Sequence, residues 1–187
     1  MIALSSVVAV AGQTHAAVAT DGQSGTSKVT ATLTSSTDPA DKTVKLTAVP
    51  DLDFGTKEIT AAAIDMPQTT DGTVSVSDAR GTGAGYTVDV ALTTPFTDTA
   101  SHVLTGSTLS VINAGGKSVE NASNTNAGTT ATLTDTAAQN IVTAKTGEGL
   151  GNWNYTIKGS NLNVLPGAYA GSYEGQLTWT LTATPKA

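Results

Sequence analysis

The sequence contains no cysteine, a single arginine and few aromatic residues, which make up 4% of its 187 positions. The missing cysteine excludes disulfide staples and thiolate metal sites. Charged residues reach only 13%, roughly half the usual share. Acids outnumber bases 15 to 9, for a net charge of −6, and no Lys/Arg cluster occurs. A phosphate-binding surface needs such a cluster, so nucleic acid is not an expected partner. Histidine is too scarce for a triad. His15 is expected to leave with an N-terminal signal peptide, and the adjacency of Ser101 and His102 says nothing about a dyad. No glycine-rich phosphate loop ends in Lys-Ser/Thr, and no cofactor is expected. The apolar run at 2–11 (IALSSVVAVA) is too short to span a bilayer, so a transmembrane protein is not expected either.

What fills the chain instead is Thr, Ala, Gly and Ser, in alternating runs. Residues 173–185 (YEGQLTWTLTATP) set Leu177, Trp179 and Leu181 on one face against Thr178, Thr180 and Thr182 on the other, the pattern of a strand with a dry and a wet face. The same alternation appears at 28–34 (KVTATLT), 43–49 (TVKLTAV), 73–79 (TVSVSDA), 86–92 (YTVDVAL) and 153–158 (WNYTIK). Further strands are expected at 103–112 and 129–134, with a short one ending at Ile59, and 161–165 is a short apolar stretch before the Pro166-Gly167 turn. Residues 61–67 are ambiguous and fit one helical turn, and 136–145 (TAAQNIVTAK) fits helix or strand. The glycines of 81–85 between two strands predict a hairpin or near-hairpin with a loop longer than two residues. Residues 93–99, with Pro95 and Phe96, read as a loop anchored by one aromatic, and 113–128 (NAGGKSVENASNTNAG) as a polar, mobile one. Many short strands without long crossover helices predict an all-β, single-domain sandwich or barrel-like fold with long polar loops.

The first residues stand apart. The apolar run at 2–11 followed by Ala16, Ala17 and Ala19 reads as a signal peptide over 1–19. No Lys or Arg precedes the run, which suggests a truncated start; a buried N-terminal strand or helix is the alternative. Residues 20–27 follow as a flexible lead-in, and 28–187 form the β domain.

Several motifs then fall into a recognisable order. Leu52-Asp53-Phe54-Gly55 comes first, then Asp78-Ala79-Arg80-Gly81 leading into Tyr86-Thr87-Val88. Val164-Leu165-Pro166-Gly167-Ala168-Tyr169 precedes the last strand, which carries Trp179-Thr180-Leu181 and then Pro185 near the chain end. This set resembles the WxL domain of Gram-positive cell-surface proteins over nearly the whole of 28–187. One position departs: the upstream W-x-L is Tyr86-Thr87-Val88, which keeps an aromatic and a branched aliphatic on one strand face. The resemblance implies a secreted, non-catalytic protein held non-covalently on peptidoglycan at the cell surface. It also implies a membrane-anchored WxL-interacting protein as partner.

Read as residues alone, Trp179, Leu181, Tyr86 and Val88 sit on apolar strand faces and fit core positions as well as binding positions. Asp78 and Arg80 continue the apolar parity of their strand, where an unpaired charge is costly. A structural ion pair between them is expected, with capture of a peptide-stem carboxylate by Arg80 as the alternative. Asp51 and Asp53 lack EF-hand spacing and read as a solvated loop. A glycan-active enzyme needs two paired carboxylates; Glu148, Glu174, Asp89 and Asp53 are candidates that nothing in the sequence pairs. The competing non-enzymatic reading is a structural or adhesive subunit that binds the membrane-anchored partner, or a host ligand, through an edge strand.

Overall fold

The computed structural model describes residues 17–18, 23 and 25–183. The chain divides into two compact units, Met1–Thr34 and Ser35–Ala187. The signal-peptide reading of 1–19 falls outside the described residues, save for Ala17 and Val18. In the first unit β1 (Ala17–Val18) pairs antiparallel with β2 (Gly25–Thr26). Residues 28–34, expected as a strand, form none. They carry no strand assignment, and Val29 and Leu33 are 91% and 97% exposed. Alternation supplies a face but not a neighbour, and a strand exists only as part of a ladder.

The second unit begins with a 3-10 turn, Pro39–Lys42, capped by Asp38, whose side chain accepts from Ala40 N. Eleven strands follow: β3 (Val44–Ala48), β4 (Ile64–Pro67), β5 (Gly72–Asp78), β6 (Tyr86–Thr97), β7 (Thr108–Ser118), β8 (Thr125–Asn126), β9 (Thr129–Leu133), β10 (Gln139–Ala144), β11 (Gly151–Ile157), β12 (Asn161–Val164) and β13 (Glu174–Thr182). Eight of them form one sheet in the order β3-β5-β11-β7-β12-β4, with β8 and β9 also on β7. The other three form a second sheet, β10-β6-β13. Every pairing is antiparallel. The architecture is the expected all-β, sandwich-like one. Its core joins Val74, Val76, Leu109, Val111, Tyr155 and Ile157 of the large sheet to Tyr86, Val88 and Val90 of the small one, all buried.

Four local expectations change. Strands β5 and β6 do not form a hairpin: β5 pairs with β3 and β11, and β6 with β10 and β13. Two strands that are apolar on one face can meet edge to edge or face to face. Here the glycine link carries the chain from one sheet to the other. Gly85 has φ +75°, and a Cβ there would collide with the carbonyl oxygen of Ala144, so only glycine fits. Residues 93–97 extend β6 instead of leaving it as a loop. Pro95 is tolerated because the register with β13 breaks between Glu174 and Leu177. Residues 113–118 are strand, not loop. Asn113 is buried and donates to Ile141 O at 3.0 Å, and Gly116 makes room for the ring of Tyr155, which a Cβ would strike. The polar, glycine-rich composition there serves packing.

The fourth change runs in both directions. No strand reaches Ile59, whereas 64–67 and 139–144, left open by period, are both strands. Val103 makes only an isolated bridge with Thr97, and β7 starts at Thr108.

Candidate functional site

The two W-x-L-type tripeptides lie on neighbouring strands. Leu181 faces Val88, Thr180 faces Asp89 and Trp179 faces Val90. Their environments differ sharply. Tyr86 and Val88 on central β6 are fully buried, and the Tyr86 hydroxyl meets the Tyr155 hydroxyl at 2.8 Å, joining the two sheets through the core. Burial pushes both phenols up: Tyr86 far above the ordinary range, with the Tyr155 ring adding to the rise, and Tyr155 to about 12, with the bond to Tyr86 opposing the rise. Around Tyr86 the room is made by Gly149, where a Cβ would press on the ring. This motif builds fold and presents nothing to solvent.

Trp179 and Leu181 lie on β13, an edge strand, and are half-buried. Their face is therefore only partly dry, unlike the closed face that alternation alone suggests. Trp179 and Leu177 line a groove of about 470 Å³ with Phe54 and Leu52 from the 49–54 segment and Leu92 and Phe96 from the far half of β6. Asp51, Glu174 and Gln176 supply its polar margin. Its size and its mix of apolar walls with a few convergent polar groups suit a ligand site. The groove brings together two motifs 125 residues apart, Phe54 and Trp179. It depends on Gly175, where a Cβ would lie 3.2 Å from the Phe96 ring and the Thr94 carbonyl.

The 49–54 segment has no strand of its own, so local bonds hold its far end. Asp53 Oδ2 accepts from Thr69 Oγ1 at 2.7 Å, and its Oδ1 accepts from Gly55 N at 3.1 Å. These bonds, the one from Thr69 first, hold the Asp53 carboxyl below its ordinary range. Asp53 is thus a latch and Asp51 part of the groove margin.

Arg80 ties the ends of both motif strands together. Its Nε and Nη2 grip Asp78 in a bidentate pair at 2.8 and 2.7 Å. Nη2 also donates to Gly85 O, just before β6, and Nη1 to Ala183 O, just after β13, each at 2.9 Å. The Asp78 side chain is fully buried and that of Arg80 nearly so. Burial pushes the Asp78 carboxyl up, but the hydrogen bonds and charge of Arg80 outweigh it and hold the carboxyl below its usual range. All the guanidinium contacts are internal, a geometry that suits a clamp better than a ligand-binding arm.

The other candidates are scattered. Asp89 is buried on the outer face of β6 and accepts from Asn140 Nδ2 at 3.1 Å. Glu148 accepts from Lys145 N in the β10–β11 turn. Of the four carboxylates weighed for glycosidase chemistry, only Glu174 lines the groove. His102 stacks on Tyr169 with centroids 4.1 Å apart, and Asp98 Oδ2 holds its Nδ1 at 2.8 Å. Phe96, Leu92 and Gln176 were not legible as site residues: Pro95 beside Phe96 reads as a loop signal, and Leu92 and Gln176 stand in alternating strands without a motif of their own. Among the described residues no helix is long and apolar enough to cross a membrane.

Neither a curated protein nor a solved structure matches the chain significantly. A family model, described as WxL domain surface cell wall-binding, matches residues 20–185 and so takes in the groove, the Arg80 clamp and both tripeptides. The chain belongs to the WxL-domain family of surface, cell-wall-binding proteins.

Proposed function

We propose that this is a secreted, non-catalytic attachment domain of a Gram-positive surface, and that the Trp179 groove holds peptidoglycan non-covalently. The observation that carries this reading is the half-buried Trp179 beside Phe54 and Leu177 in an open groove, while Tyr86 and Tyr155 are sealed in the core. Aromatic and aliphatic walls offer stacking surfaces to the C–H faces of sugar rings. Asp51, Glu174 and Gln176 offer hydrogen bonds to hydroxyl, acetamido and amino groups at the margin. A net charge of −6 gives no general attraction to an anionic wall, so binding rests on these short-range contacts and varies little with salt. A membrane-anchored WxL-interacting protein is the expected partner on the same surface.

Sedimentation of the purified protein with stripped peptidoglycan, at low and high salt, tests the reading. Co-sedimentation that survives high salt and is competed by soluble glycan fragments supports it. Failure to sediment transfers the attachment role to the protein partner, and release of sugars or stem peptides from the wall restores the enzymatic alternative.

A further inference from the structure

Natural sheets guard their edges with charge, proline, bulges or brevity. Three of the edges here follow that rule. Strand β4 has four residues and carries Asp65 and Pro67. Strand β3 has five, carries Lys45 and is followed by Pro50. Strand β10 has six and is interrupted by a register shift at Ile141. Strand β13 does not follow it. It runs for nine residues and has no charged residue after Glu174; its register with β6 shifts twice before Leu177, where the extra residues lie on β6, and is unbroken from Leu177 to Thr182. Among the described residues it pairs with β6 alone.

The molecule also carries a strand-patterned segment without a sheet. Residues 28–34 alternate Val29, Ala31 and Leu33 with Thr30, Thr32 and Thr34. All seven are exposed, Val29 and Leu33 almost completely. A β-branched, apolar-alternating run left entirely in water is as unusual as an open edge. Among the described residues, 28–34 belong to no ladder and β13 to none but that with β6.

We propose that the two belong together between molecules: residues 28–34 of one copy add as a strand to the free edge of β13 of a second copy. Backbone hydrogen bonds of the new ladder supply the affinity, and alternating side chains supply the register. A parallel alignment that sets Lys28 beside Glu174 puts Val29, Ala31 and Leu33 on the face of Gly175, Leu177 and Trp179, and the threonines on the threonine face. It matches the one charge of the donor to the one charge of the acceptor. Each copy then gives one strand and accepts one, so the contact is head to tail and closes a ring or extends a chain. This assembly does not depend on wall binding, which is read out separately by sedimentation with peptidoglycan.

Analytical ultracentrifugation of the full chain from micromolar to millimolar concentration tests it, alongside Thr32→Pro. The proline removes a ladder donor in the middle of the segment, and because Thr32 is exposed and outside every described strand, circular dichroism and melting temperature should not change. The expected result is concentration-dependent self-association that Thr32→Pro weakens at least about tenfold. Because the chain has no cysteine, a mixture of Thr34→Cys and Thr180→Cys copies should also yield a mixed disulfide under mild oxidation. A monomer at every concentration overturns the proposal, as does association indifferent to Thr32→Pro. Slow hydrogen exchange of residues 28–34 in a monomer would instead show that the segment folds back on its own chain, and overturns it too.

Discussion

Two tripeptides of the same pattern, aromatic-Thr-aliphatic, lie side by side in one small sheet, and their fates differ. Tyr86-Thr87-Val88 sits on the central strand, with the aromatic ring and the aliphatic side chain wholly buried. Trp179-Thr180-Leu181 sits on an edge strand with its apolar face half open to a groove. Local sequence is nearly equivalent; position in the sheet decides. A central strand is covered by neighbours on both sides, whereas an edge strand lends one flank to solvent. The exchange of Trp for Tyr at the upstream position fits this division. Tyrosine brings a hydroxyl that a sealed core must satisfy, and Tyr155 satisfies it.

The largest effect that sharpens the contrast is expected at Tyr86. Tyr86→Ala empties a large volume from the core and leaves the Tyr155 hydroxyl without its partner, for a loss of about 3–5 kcal/mol in denaturant unfolding. A loss below about 1 kcal/mol would mean that the upstream motif is not core. Arg80→Ala comes close behind. It leaves the buried Asp78 carboxylate unpaired and frees the ends of both motif strands, at about 3–5 kcal/mol. Arg80→Lys keeps a charge but loses the bidentate fork and recovers only part of the stability. If Arg80→Ala instead folds with wild-type stability and fails to sediment with walls, the guanidinium is a ligand contact and the clamp reading is wrong.

Alkaline titration gives an intermediate effect confined to the upstream motif. In the folded protein the Tyr86 and Tyr155 phenols are held above their ordinary value of 10, Tyr155 at about 12. Above pH 10 the unfolded chain releases these protons while the folded chain keeps them. Stability is therefore intact below pH 10 and falls as pH rises from 10 toward 12, by up to about 1.4 kcal/mol per pH unit for each group. Tyr86→Phe removes one of the two groups and flattens that decline; an unchanged slope would show that other groups cause it. The smallest stability effect is expected at Trp179, whose replacement by Ala costs about 1–2 kcal/mol because the ring is only half-buried.

Strand faces were the part of this fold legible in the sequence. The alternations read at 43–49, 73–79, 86–92, 153–158 and 173–185 overlap β3, β5, β6, β11 and β13, with ends up to three residues off except where β6 runs on to Thr97. Pairing partners were not legible, since periodicity says which way a side chain points and not which strand lies beside it. The 73–79 and 86–92 segments therefore read as a hairpin although they lie in different sheets. For the same reason residues 28–34 read as a strand although, among the described residues, they join no ladder. Glycine and asparagine misled in the other direction: Gly116 and Asn113 signal a loop by composition but are demanded by the Tyr155 ring and the Ile141 carbonyl. The groove was half legible. Phe54 and Trp179 stood out as motif residues, but only the fold shows that 49–54 and β13 line one groove.

Wall sedimentation of Trp179→Ala beside Tyr86→Phe, each first shown to be folded by circular dichroism, separates the two motifs in one experiment. Tyr86→Phe should bind walls like the unmodified protein despite its lower stability. Trp179→Ala should stay folded and lose at least about tenfold in wall affinity. Full wall binding by a folded Trp179→Ala would contradict the division of labour between the sealed motif and the open one.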